Sequence, residues 1–165
     1  MEAQIISLEE LEVHEDGPES GWRAVLAVDG VGLMHVERGP DGGFVACDGS
    51  DQEDAEMLAL LDEFTTSTGE PVERDDGSLR PETIDDRVAS LVAVGWLIRR
   101  MADALRSSAI GVTDDGLVEV GVPDGGTIDG ALAHLRSIHP HAVLLNDIPL
   151  EEAALEWVTH AAPER

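Results

Sequence analysis

Apolar and polar residues along this chain follow two different periods, and each period predicts a different kind of element. From Trp22 to Asp48, β-favouring runs are separated by Asp29-Gly30 and by "RGPDGG". Asp-Gly suits a type I′ turn because both central residues of that turn need positive φ. This stretch is therefore predicted to be a three-stranded antiparallel meander. Before it, "AQIIS" favours a short strand and "LEELEV" is ambiguous.

The helical period begins after the meander. Ser50 and Glu53 form an S-x-x-E capping box, which predicts that a helix starts there. Four apolar residues then recur at i, i+3, i+4 and i+7, which predicts one stripe lying on the meander. These residues are Met57, Leu60, Leu61 and Phe64.

A second helix is predicted from Thr83 to Ser107, with Thr83 and Asp86 as its cap. Its middle is apolar nearly all round, which is typical of a helix buried on several sides. The segment 66–82 between the two helices is polar and contains two Pro and two Gly. We expect it to be a mobile loop.

The last third reads as a hairpin, a helix, a buried strand "HAVLLN" and a closing amphipathic helix. In the closing helix, four residues are expected to face inward: Leu150, Ala154, Trp157 and Val158. The sequence thus predicts an α+β fold with a three-stranded antiparallel meander plus helix, a long central helix, a second β-hairpin, and then α-β-α. Its length of 165 residues suits a single domain spanning 1–165.

The charge of the chain changes which functions are expected. Asp and Glu total 35, whereas the 10 bases are all Arg, so the formal net charge is −25. A field of this sign repels phosphate backbones and anionic lipid, which excludes direct binding of nucleic acid or a membrane surface. The segment 39–73 contains ten acids and no base. This uneven distribution favours a dedicated acidic surface that docks a basic partner protein.

The predicted partner-binding residues lie on the first helix and the loop that follows it. The helix dipole explains part of this acidity, because it favours negative charge in the first turns. The residues assigned to the surface are Asp51, Glu53, Asp54, Glu56, Asp62, Glu63, Glu70 and Glu73. An inhibitor, an immunity protein or a chaperone-like protein would use such a surface, since electrostatic steering speeds capture of a basic protein.

Two other interpretations of the acidity stay open. An acidic or salt-adapted proteome would produce the same charge in an ordinary α+β domain, including an enzyme. Alternatively, a DNA mimic would use carboxylates spaced like phosphates to inhibit a DNA-binding protein.

The sequence predicts no catalytic, cofactor-binding or metal residues. The segment "DGSDQEDAEMLA" resembles a calcium loop but has Glu53 where Gly is needed and Ala59 where Glu is needed. Cys47 is the single cysteine and is predicted to be a buried small hydrophobic residue at a strand end, and no internal disulfide is expected. The histidine cluster of His134, His139 and His141 lacks any zinc-site spacing, and whether it binds metal stays open.

The element order in a small acidic protein resembles secretion-chaperone-like domains, although the C-terminal strand and helix depart from that pattern. This resemblance implies a protein-binding role and a homodimer, and it carries over no motif residues. The opening "MEAQIISLEE" lacks the features of a signal peptide, and the apolar run Val88 to Ile98 is too short to span a bilayer. We expect a cytoplasmic protein.

Overall fold

A computed structural model describes residues 5–47 and 52–161 of the chain, and it confirms the α+β class. Two compact units can be distinguished, Met1–Trp96 and Leu97–Arg165. The division falls inside a long helix, α2 (Ile84–Ser107), which therefore contributes residues to both units. That the chain is a single domain over 1–165 stays a prediction.

The first unit contains a four-stranded antiparallel sheet in the order β1-β2-β3-β4. The strands are β1 (Ile6–Val13), β2 (Trp22–Val28), β3 (Val31–Arg38) and β4 (Phe44–Ala46). The predicted meander is confirmed as β2, β3 and β4, and β1 adds a fourth strand at its edge. At the β2–β3 turn, Asp29 and Gly30 both have positive φ, 52° and 76°, as the Asp-Gly pair predicted.

Strand β1 contains a bulge that explains why its sequence looked ambiguous. Its register against β2 shifts between Glu9 and Glu12, and Glu10 has a φ of 52°. Apolar residues alternate as Ile6 and Leu8 before the bulge, and then as Leu11 and Val13 after it. Because the extra residue resets the alternation, both apolar pairs pack against the same core.

Helix α1 (Glu53–Thr68) follows β4, with Gln52 at its N-cap position. Ser50, the predicted cap residue, lies outside the described residues. The core side of α1 consists of Leu58, Leu61, Phe64 and Thr65. The predicted stripe was therefore wrong for Met57 and Leu60, which are 37% and 62% exposed, whereas Leu61 is only 7% exposed. The buried line is rotated by one residue toward Leu58, since the helix has more apolar positions than its covered side uses.

The segment 66–82 contains the last residues of α1 and a short hairpin of β5 (Val72–Glu73) and β6 (Leu79–Arg80). The mobility of 66–82 stays a prediction. Helix α2 begins one residue after the predicted Thr83 and ends at the predicted Ser107. In the first unit, its Ile84, Val88 and Val92 are buried against the inner side of the sheet.

The second unit is built around a three-stranded sheet in the order β8-β7-β9. Its elements are β7 (Ser108–Thr113), β8 (Gly116–Gly121), α3 (Ile128–Ile138), β9 (Val143–Leu144) and α4 (Leu150–His160). Successive residues of β7 belong to different cores: Ala109 packs with α3, and Ile110 packs with Met101 of α2 and the alanines of α4. The predicted order of hairpin, helix, strand and helix is confirmed.

Two details of the second unit differ from the prediction. The strand expected over "HAVLLN" is reduced to two residues, because the chain enters a 3-10 helix at Leu145–Asp147. There the side chain of Asn146 replaces strand pairing: its Oδ1 accepts the Ile110 N–H at 2.9 Å, and its Nδ2 donates to the carbonyls of Leu105 and Ser108, each at 3.0 Å. In α4, Val158 is 55% exposed, so its predicted inward position was wrong.

We expect Asn146→Ala to lower the free energy of unfolding by about 1–3 kcal/mol, because it leaves three part-buried backbone groups without their partner. Urea denaturation measures this loss. Asp147→Ala is the matched control, since it removes only an exposed ion pair with Arg136 and should cost less than about 1 kcal/mol. Equal losses in the two variants would contradict the assigned role of Asn146.

Candidate functional site

The predicted partner-binding acids occupy three parts of the first unit. Glu53, Asp54 and Glu56 lie in the first turn of α1, and Asp62 and Glu63 lie further along the helix. Glu70 follows the helix, Glu73 is the second residue of β5, and Asp51 lies outside the described residues. These acids differ in what their carboxylates contact: Asp62 bonds to the backbone of another helix, whereas Glu53, Glu56 and Glu63 are exposed to solvent.

Asp62 has a structural role. Its Oδ1 accepts the backbone N–H of Ile84 at 2.9 Å, and Ile84 is the first residue of α2. The first N–H groups of a helix have no partner within the helix, so a side-chain acceptor there stabilises the helix start. The negative charge is also favourable beside the positive end of the helix dipole. Asp62 thus joins α1 to α2, and it is half-buried rather than open to a partner.

The cap predicted for α2 is confirmed. Asp86 Oδ2 accepts the Thr83 N–H at 2.9 Å, and Thr83 Oγ1 accepts the Asp86 N–H at 3.3 Å, which is the reciprocal pairing of a capping box. Arg80 adds two bonds to the same carboxylate, at 2.5 and 2.6 Å. The Arg80 guanidinium, together with the Thr83 bonds, holds the pKa of Asp86 well below its ordinary value of 3.8.

A second bidentate pair lies beside this cap. Arg87 donates to both carboxylate oxygens of Glu82, at 2.7 and 2.6 Å, and Glu82 is only 8% exposed. The Glu82 carboxylate raises the pKa of Arg87, with a smaller contribution from Glu70. Gly69 lies against this pair: a Cβ at Gly69 would overlap the Glu82 carboxylate and approach the Thr65 carbonyl at 2.7 Å. Only glycine fits where α1 ends beside the Glu82–Arg87 pair.

Of the other predicted acids, Asp54 is half-buried, whereas Glu70 and Glu73, which follow α1, are exposed. On α1 itself, Glu53, Glu56 and Glu63 are exposed, and we call these three residues the α1 acidic surface. The Glu56 carboxylate accepts a 3.2 Å bond from Gln52, which leaves its charge unneutralised. In the described part of the chain, no cationic side chain forms an ion pair with these three residues. The arrangement presents localised negative charge on one rigid helix.

Sequence reasoning found the capping box but missed the contacts made by Asp62 and Glu82. The signal for the capping box is local, because Thr83 and Asp86 are three residues apart. Asp62 and Ile84 are separated by 22 positions, so their hydrogen bond depends on how α1 and α2 pack. No local pattern distinguishes Asp62 from its neighbour Glu63.

The outer side of the four-stranded sheet carries two adjoining clefts, of about 420 and 480 Å³. Both clefts are lined by Glu12, Arg23 and Glu37, which are cross-strand neighbours. Arg23 Nε donates to Glu12 Oε2 at 2.5 Å, and this bond raises the pKa of Arg23. The first cleft also contains His35 and Cys47, and the Cys47 N–H donates to the His35 carbonyl at 2.8 Å. Cys47 is exposed, so its predicted burial was wrong. Sequence reasoning missed these clefts because cross-strand pairing creates them.

Within residues 5–47 and 52–161, no group of three or more His, Cys, Asp or Glu side chains is placed to hold a metal ion. Of the helices in these ranges, none combines the length and apolar character that crossing a membrane requires. Comparison with protein-family models, with curated proteins and with solved structures finds no match to this chain. The resemblance to secretion-chaperone-like domains stays a prediction.

We expect Asp62→Ala to lower the free energy of unfolding by about 1–2 kcal/mol, because the Ile84 N–H loses its acceptor and the helix start loses a favourable charge. Chemical denaturation followed by circular dichroism measures the loss. Glu63→Ala, the adjacent exposed acid, should change stability by less than about 0.5 kcal/mol. If both variants lose the same amount, Asp62 has no special role in holding α2.

The stabilisation from Asp86 should depend on pH. The folded pKa of Asp86 lies below 3.8, so its stabilising contribution is complete at pH 7 and declines as acid protonates the carboxylate. We expect Asp86→Asn to cost about 1–3 kcal/mol at neutral pH. The gap between variant and wild type should narrow progressively as the pH falls below 3.8.

Urea denaturation at a series of pH values measures this gap. Asp75→Asn, which changes an exposed aspartate in the β5–β6 turn, serves as the control for removing one charge. A gap for Asp86→Asn that stays constant across the acid range would show that the carboxylate charge does not stabilise the cap.

Proposed function

We propose that this protein binds a basic partner protein through the α1 acidic surface. The proposal covers inhibitor, immunity-protein and chaperone-like roles, which share the capture of one protein by complementary charge. It is supported by the exposure of Glu53, Glu56 and Glu63 and by the absence of any base in the segment 39–73.

The single observation that carries the proposal is the uncompensated charge of α1. Of the five arginines in the first unit, Arg74 lies between β5 and β6 and forms no ion pair with a described residue of α1. The other four pair with carboxylates that lie outside this helix: Arg23 with Glu12, Arg38 with Glu19, Arg80 with Asp86, and Arg87 with Glu82. These cations are already engaged by hydrogen-bonded partners. The α1 acidic surface therefore keeps its negative potential, which accelerates encounter with a positively charged protein.

Rigid placement adds to this argument. The bond from Asp62 to the start of α2, the buried Leu61 and the close contact at Gly69 hold α1 within the first unit. Because the backbone of α1 is already ordered, docking costs only the side-chain freedom of the glutamates, about 0.5–1.5 kcal/mol for each one that is immobilised. Glu56 and Glu63 lie seven residues apart, so two helical turns separate them by about 10 Å.

The proposal predicts that neutralising this surface abolishes partner capture. The triple variant Glu53→Gln, Glu56→Gln and Glu63→Gln should fail to retain the basic protein that the wild type captures from its own cell lysate. Capture by the wild type should weaken as ionic strength rises from about 0.05 to 0.5 M, because salt screens exposed charges. Affinity pull-down with identification of the bound protein measures both effects.

The matched control removes three exposed Glu charges from the second unit: Glu119→Gln, Glu151→Gln and Glu152→Gln. This variant has the same net charge as the triple α1 variant, so retention of the partner by the control assigns binding to position rather than to total charge. Equal loss in both variants would contradict a specific docking surface. No specific partner, together with a requirement for high salt to fold, would favour the salt-adapted interpretation.

A further inference from the structure

Helix α1 carries apolar side chains that the first unit does not cover. Met57 is 37% exposed and Leu60 is 62% exposed, although both lie on a helix whose other apolar side is buried. Phe64, at i+7 from Met57, packs against the core and is not part of this exposed line. We call Met57 and Leu60 the apolar strip.

The apolar strip runs beside the α1 acidic surface. Residues three or four positions apart are neighbours on the surface of a helix. Leu60 is therefore next to Glu56 and Glu63, and Met57 is next to Glu53. The apolar strip thus lies between the buried side of α1 and the carboxylates of Glu56 and Glu63, which border it on the side away from the core. This pattern has the complementary chemistry of a helix with an apolar stripe flanked by Lys or Arg.

We propose that the partner segment that docks on α1 is an amphipathic basic helix, whose apolar stripe covers Met57 and Leu60 while its cations pair with Glu56 and Glu63. This inference rests on the proposed function and specifies that the docking segment of the partner is an amphipathic helix. Cations seven residues apart on the partner helix match the separation of Glu56 and Glu63, because both helices rise equally per residue. Helices recognised in this way are anchored by apolar residues at i, i+3, i+4 and i+7.

Charge argues against a second copy of the chain as the occupant. Two α1 helices packed through their apolar strips would bring both copies of Glu53, Glu56 and Glu63 together. Like charges placed opposite each other across an interface are unfavourable, and each chain already has a net charge of −25. A cationic helix removes this repulsion and covers the apolar strip at the same time.

Two synthetic peptides of about 18 residues, roughly five helical turns, test the inference. The first peptide has Leu along one side of the helix and Lys beside it, and the second has the same Lys positions with Ser in place of Leu. Fluorescence anisotropy measures the affinity of each peptide for the wild type. We expect tighter binding of the Leu peptide, and part of that binding should persist at about 0.5 M salt because apolar contact is not screened.

The variant Leu60→Ser should weaken binding of the Leu peptide roughly tenfold and leave binding of the Ser peptide unchanged. Leu155→Ser, at a site on α4 that is 66% exposed, is the matched control and should leave both affinities unchanged. Circular dichroism verifies that both variants are folded. Since each side chain is largely exposed, neither substitution removes a core contact.

The outcomes separate the inference from the function on which it rests. Unchanged affinity of Leu60→Ser for the Leu peptide overturns the inference, while loss of both peptides by the triple Gln variant of α1 still supports charge docking. If the triple Gln variant binds both peptides as the wild type does, the proposed function fails. A wild-type dimer in sedimentation that Leu60→Ser dissociates would overturn the inference in favour of a second copy.

Discussion

The start of α2 depends on carboxylates that each satisfy a backbone or guanidinium donor. Asp62 accepts the N–H of Ile84, Asp86 accepts the N–H of Thr83 and two bonds from Arg80, and Glu82 accepts two bonds from Arg87. Asp62 of α1 and Arg80 of β6 both bond to the first turn of α2, so the N-terminus of α2 is where α1 and the β5–β6 hairpin are joined to this helix. Asp62, Glu82 and Asp86 are thus the carboxylates that stabilise the start of α2.

The carboxylates bonded at the start of α2 differ from the exposed carboxylates in what they contribute to the protein. A carboxylate that accepts several hydrogen bonds is committed to the folded structure, whereas an exposed carboxylate mainly adds to the electrostatic field around the protein. Asp62 and Glu63 are adjacent in sequence, yet the first contacts α2 and the second is open to solvent. The acids of α1 thus fall into two groups: Asp62 holds the start of α2, and the α1 acidic surface is exposed to solvent.

Local patterns predicted the elements better than they predicted the contacts between them. The capping box at Thr83 and Asp86 and the turn at Asp29-Gly30 are encoded within a few residues, and both are confirmed. The side of α1 that faces the core was predicted one residue away from its true position, because the helix has more apolar residues than its packing uses. Two-residue strands such as β5 and β9 are too short to give a readable alternation. The contact between Asp62 and Ile84 required the tertiary structure.

If the α1 acidic surface is exposed and serves binding, it should be dispensable for folding, and the free energy of unfolding of its triple Gln variant at low ionic strength measures this. We expect a value within about 1 kcal/mol of wild type, because relief of repulsion offsets weaker helix-dipole interactions at the first turn. A loss above about 2 kcal/mol would contradict it, since these carboxylates would then be holding the fold rather than remaining available to a partner.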